Sequence, residues 1–124
     1  MRSLLLVAHG SRREASNEEV RRLAEALRER AGPRYGRVDC AFLELAEPSI
    51  PDGIEACVQA GANEVVVLPY FLSAGRHVAQ DIPEQVDIKR REHPQVRIVI
   101  APYLGASSQV ADLLLAQSES DAFS

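Results

Sequence analysis

Two of the three histidines and one glutamate stand directly downstream of apolar runs. His9 closes the run 4–8, Glu44 follows Phe42 and Leu43, and His77 ends the loop that leaves the run 65–68. Two imidazoles and a carboxylate can bind a borderline divalent ion, and they can equally move protons near neutral pH. Gly10 permits a close backbone approach beside His9. Ser11, Arg12 and Arg13 then add polar groups. The segment is no phosphate loop, because further glycines at nucleotide-binding spacing and a Lys-Ser or Lys-Thr pair are missing. Arg12, Arg13 and Arg76 suit a polyanion, above all one with several carboxylates; surface ion pairing is the plainer use of such residues. Tyr70, Phe71 and Leu72, with Tyr103 and Leu104, suit a flat apolar ligand, ordinary loop packing or a subunit contact. His93, among Arg90, Arg91 and Glu92 and before Pro94, reads as a surface residue favoured by a helix C-terminus.

These residues need elements that bring them together. Four β-like runs, at 4–8, 38–43, 65–68 and 96–101, alternate with four helical patterns. The first run is continuously apolar, as in a parallel strand covered on both faces. In the first helix Ser16 and Glu19 make a capping-box pattern, followed by inward Val20, Leu23, Ala24 and Leu27; Gly32 and Pro33 end it. The second starts at Ser49 with Pro51 and Asp52 in its first turn and carries Ile54, Cys57 and Val58 inward. The third starts near Asp81, paired with Glu84, and ends at Pro94; Ile82, Val86 and the stem of Lys89 cover the sheet. The fourth spans 107–116 with Val110, Leu113 and Leu114 inside, and the stretch 117–124 is expected to fray. Strand-helix alternation implies right-handed parallel crossovers and an α/β three-layer sandwich. The order 2-1-3-4 places the most apolar strand centrally. His9, Glu44 and His77 then all fall at strand exits, the edge where such folds bind ligands.

Composition narrows the function. The chain has 124 residues, 46% hydrophobic and 26% charged, which predicts one domain over 1–124. A net charge of −4 and an aromatic content of 5% without Trp argue against nucleic-acid binding. The apolar run near the N-terminus is too short for a signal peptide or a membrane span. Cys40 and Cys57 make no disulfide framework and read as buried thiols, so the expected location is cytoplasmic, with no membrane partner.

Three blocks, LLLVAHGSR at 4–12, CAFLELAEPSI at 40–50 and VVVLPYFLSAGRHVAQDIP at 65–83, resemble the short CbiX-type sirohydrochlorin chelatases of the class II tetrapyrrole chelatases. The resemblance covers nearly the whole chain. It implies a flavodoxin-like sandwich and a homodimer, since larger members carry two such units. It places the family's histidines on His9 and His77 and its acidic residue on Glu44. It implies insertion of Co²⁺, Fe²⁺ or, in some lineages, Ni²⁺ into sirohydrochlorin, for cobalamin, sirohaem or coenzyme F430 synthesis. The metal is then a substrate, and no tightly bound cofactor is expected. His9, Glu44 and His77 would present the metal and take up pyrrole protons. Ser11, Arg12, Arg13, Arg76, Tyr70, Phe71 and Leu72 would meet the macrocycle.

Two other classes compete. A non-catalytic tetrapyrrole or metal carrier would use the same residues without turnover. A histidine phosphatase also places His-Gly after an early strand, but its motif has an arginine where this chain has Ala8.

Overall fold

A computed structural model describes residues 1–120. Strands β1 (Arg2–Ala8), β2 (Arg37–Phe42), β3 (Glu64–Pro69) and β4 (Arg97–Ile100) alternate with helices α1 (Glu14–Ala31), α2 (Ile50–Gln59), α3 (Ile82–Glu92) and α4 (Val110–Ser118). Every strand pairing is parallel, and the order is β2-β1-β3-β4, as the apolar first strand predicts. The register sets Ala8 beside Phe42 and Val7 beside Pro69. The exits of β1, β2 and β3 therefore lie level at one edge.

The sheet is covered unequally. On one face Leu5, Val7, Ala41, Val65, Val67 and Ile98 pack with Ile50, Ile54 and Cys57 of α2 and Ile82 and Val86 of α3. Each fully buried aliphatic side chain of this kind contributes about 1.5–3 kcal/mol. On the other face Leu4, Val38 and Val66 pack with Leu27, Ala31, Leu68 and Val99, mostly half-buried. A cavity of about 360 Å³ lined by Leu6, Leu23, Leu27, Leu68, Tyr70 and Leu113 remains there.

Several expectations need correction. α1 begins at Glu14 rather than after a Ser16 cap, with Arg13 in the capping position and no side-chain capping bond. Asn17, turned inward, fastens the preceding loop and starts the helix early. Ser49 does cap α2, its hydroxyl accepting from the Asp52 N–H. Asp81 does not cap α3: a π-helical turn over His77–Asp81 runs straight into the helix and leaves Asp81 with helical torsions.

The largest departure is α4, which buries no residue; Leu113, Leu114 and Leu115 are 59%, 64% and 62% exposed. Its approach is a 3-10 turn over Leu104–Ala106, tied to the β3 exit by the Gly105 N–H donating to the Phe71 carbonyl at 2.9 Å. A Cβ on Gly105 would meet the Leu72 carbonyl oxygen at 1.8 Å, so that contact requires glycine. The helix is thereby started at the sheet's end, and its three consecutive leucines spread over more than one face. It runs to Ser118, past the expected end at Ala116, and residues 121–124 lie outside the described residues.

Candidate active site

The site begins with two strand ends zipped beyond the sheet. The Leu43 N–H donates to the Ala8 carbonyl at 2.9 Å and the Glu44 N–H to the His9 carbonyl at 3.0 Å. Gly10 makes this approach possible. Its φ is +94°, and a Cβ there would lie 1.7 Å from the Glu44 carbonyl oxygen. β3 leaves along the other side of β1, with the Tyr70 N–H donating to the Val7 carbonyl at 2.7 Å.

His9 and Glu44 are thus brought side by side, 44% and 55% exposed, with Nε2 3.4 Å from Oε1. His9 Nδ1 lies 3.0 Å from the Gly10 carbonyl oxygen. A carbonyl only accepts, so Nδ1 carries the proton. In the neutral ring the basic nitrogen is then Nε2, the atom facing the carboxylate. Two ligand atoms on one tetrahedral ion with bonds of about 2.0–2.1 Å stand roughly 3.3–3.4 Å apart. The pair therefore fits a cation, whether a divalent metal or a proton.

The remaining candidates distribute around this pair. The backbone of His77 opens the π-helical turn beyond the β3 exit, and its side chain lies outside the described residues. Ser11 lies in the β1 exit turn, its hydroxyl accepting from the Arg13 N–H at 3.0 Å. Arg12, Arg13 and Arg76 are exposed. Tyr70 and Leu72 are exposed on the β3 exit, whereas Phe71 is partly buried and packs against the core on the face covered by α2 and α3.

Two groupings escape a reading of the sequence. Asn17 is buried and bonds both backbone polar groups of Ser11. Its signal is spacing: it lies three residues before Val20 and seven before Ala24, on the inward face of α1. His93 is no surface bystander. Its Nε2 lies 2.7 Å from Glu55 Oε1, while Lys89 Nζ lies 2.8 Å from both Glu55 and Glu92. Lys89, His93 and Gln59 hold the Glu55 carboxyl down at about 2. Glu55, Glu92 and His93 could ligate an ion, but the Lys89 ammonium already sits against both carboxylates, so this is a lock between α2 and α3. Cys57 is buried, which pushes its thiol up; Cys40 is half-buried and is pushed the same way.

Comparison with known proteins decides the family. The CbiX family pattern matches residues 3–121. The chain belongs to the CbiX family. It is 39% identical over 111 residues to the chloroplastic sirohydrochlorin ferrochelatase of Arabidopsis thaliana, across 90% of this chain and 48% of that protein. It is 33% identical over 119 residues to the sirohydrochlorin cobaltochelatase of Sulfolobus acidocaldarius, across 96% of this chain and 91% of that protein. Its fold superposes on the sirohydrochlorin chelatase SirB from Bacillus subtilis subspecies spizizenii in complex with cobalt. There the TM-score is 0.84 at 30% identity, across 94% of this chain and 49% of that one. This CbiX chain thus spans about half the length of several curated relatives and nearly all of others. Among the described residues no helix is long and apolar enough to cross a membrane.

Proposed function

We propose that this CbiX chain inserts a divalent metal, cobalt or iron, into sirohydrochlorin. The observation that carries the reading is the His9–Glu44 pair, 3.4 Å apart and with the His9 proton directed away onto Gly10. Relatives named sirohydrochlorin ferrochelatase and cobaltochelatase support the substrate and leave the choice between iron and cobalt open. Nickel remains the third ion of the same preference series, since N and O ligands bind more tightly from iron through cobalt to nickel.

The chemistry follows from charge and protons. A divalent ion entering a tetrapyrrole displaces two pyrrole protons. His9 Nε2 and the Glu44 carboxylate first bind the ion and are then the bases that the departing protons reach. We assign His77, with Glu44, to proton handling and metal presentation at the same site, and His9 to the metal side. Ser11, Arg12, Arg13 and Arg76 meet the carboxylates of the macrocycle, and Tyr70 and Leu72 cover the ring, whereas Phe71, expected there from the sequence, packs against the core instead. The metal is substrate, with no resident cofactor in this scheme.

We further propose that 1–124 acts as one chelatase unit and pairs as a homodimer in the cytoplasm. The exposed leucines of α4 support the pairing, because several large apolar side chains left in solvent on one short helix of a small domain mark an interaction site.

Anaerobic incubation of a small amount of the protein with excess sirohydrochlorin and Co²⁺, Fe²⁺ or Ni²⁺, followed by absorbance, tests the activity. Many turnovers per chain are expected with cobalt or iron. Uptake that stops at one equivalent would establish a carrier instead.

A further inference from the structure

We propose that Asn17 is a positioning residue that fixes the tautomer and orientation of His9 through the Gly10–Ser11 peptide unit. Asn17 never reaches the imidazole. Its Oδ1 accepts from the Ser11 N–H at 2.9 Å, and its Nδ2 donates to the Ser11 carbonyl at 2.8 Å. The Ser11 N–H and the Gly10 carbonyl belong to one planar amide. The carbonyl end of that amide accepts the His9 Nδ1 proton at 3.0 Å. One rigid plane therefore joins the two side chains, gripped by Asn17 at its N–H and presented to His9 at its oxygen. Turning the plane breaks both contacts together. An amide whose N–H already donates is also a stronger acceptor at its oxygen.

The second Asn17 bond fixes the next amide, through the Ser11 carbonyl, so the turn is held at two successive planes. The Asn17 amide is itself oriented. Nδ2 lies 3.3 Å from Glu14 Oε2, and the other Glu14 oxygen takes Arg21 at 2.5 Å. Packing does not call for an amide here. Asn17 is 2% exposed on the inward face of an amphipathic helix, where an apolar side chain fills space without needing partners. What asparagine adds is an acceptor and a donor at the spacing of one residue's N–H and carbonyl. Neither partner of the clamp touches the metal side of His9. Asn17 therefore directs the Nδ1 proton onto Gly10 and leaves Nε2 as the base that faces Glu44.

The role of that base in metal insertion rests on the function proposed above; the control of the tautomer does not. The test is ¹⁵N NMR of the histidine rings at alkaline pH, with the imidazole neutral, together with insertion assays and thermal melts. The wild-type protein is expected to show His9 protonated at Nδ1. Asn17→Ala is expected to move it toward the Nε2-protonated form that histidine favours in water, and to slow insertion about 10- to 100-fold. Wild-type His9 protonated at Nε2 would overturn the inference without any variant, which covers a failure of Asn17→Ala to fold. So would a folded Asn17→Ala that keeps the Nδ1 form. A tautomer that moves while insertion stays at the wild-type rate supports the control by Asn17 and contradicts the chelatase role of His9, so the two failures separate.

Discussion

Gly10 is the residue on which the meeting of His9 and Glu44 depends, because it takes a positive φ where a Cβ would strike the Glu44 backbone. Gly10→Ala must part the two strand exits, so it is expected to cost at least about 2 kcal/mol and to abolish most metal insertion. Gly32→Ala is the control: its φ is also positive, but nothing lies within 4 Å of the added carbon. It is expected to cost about 1–3 kcal/mol through backbone strain alone and to keep insertion, as urea unfolding and the absorbance assay will show. Arg12, Arg13 and Arg76 act before the chemistry if they bind the carboxylates of the macrocycle. Their single alanine variants are expected to raise KM for sirohydrochlorin with kcat little changed, at least at one of the three positions. Unchanged KM in all three would remove them from the site. His9 and Glu44 were legible because a polar residue ending an apolar strand is conspicuous. Asn17 is not legible, since a polar residue in a first helical turn does not reveal that it turns inward onto Ser11. His93 was misjudged because its partner Glu55 is 38 residues away in sequence and shares only the α2–α3 contact.

At the scale of elements, the lock between α2 and α3 is expected to contribute to acid stability. The Glu55 carboxyl is depressed to about 2 by Lys89, His93 and Gln59. A depressed carboxyl stabilises the fold above its unfolded value of about 4.3 and loses that contribution as it is protonated in the folded state. Melting temperature is therefore expected to fall on acidification between about 4.3 and about 2, and Glu55→Gln to flatten that part of the profile. An unchanged profile in Glu55→Gln would assign the acid sensitivity to other carboxylates. The sheet itself was readable from the chain. The unbroken 4–8 run demanded a central, doubly covered strand, and parallel connection followed from the alternation with helices. Helix starts were less readable, because Ser16 and Asp81 match a capping pattern that local geometry overrides: Asn17 pulls α1 back to Glu14, and the π-helical turn carries α3 through Asp81. The packing of α4 departs from the sequence pattern for a different reason. Leu113, Leu114 and Leu115 promise burial, but the helix follows a 3-10 turn tied at Gly105 to the β3 exit, and it leaves a cavity between Leu113 and the sheet instead of closing on it.

For the whole molecule, the exposed α4 and the cavity it borders carry the proposed pairing. Leucines on α4 stand beside a leucine-lined cavity, and the chain matches about half the length of several relatives. Sedimentation at micromolar concentration is expected to give a species of twice 13.6 kDa, which Leu114→Glu with Leu115→Glu reduces to one copy without loss of helix content. A fully active single copy in the wild-type protein would end the homodimer reading and leave the site intact. The level exits of β1, β2 and β3 are proposed to form one metal-inserting centre. Its most direct test is the initial rate of cobalt or iron insertion in His9→Ala, Glu44→Gln and His77→Ala, at equal protein concentration, beside their melting temperatures. His9 and Glu44 are about half exposed, so their replacement leaves the core untouched. Rates lower by about 10²–10⁴-fold are expected, the usual loss for a removed acid-base group, with melting temperatures near wild type. Folded His9→Ala and His77→Ala proteins that insert metal at the wild-type rate would contradict it.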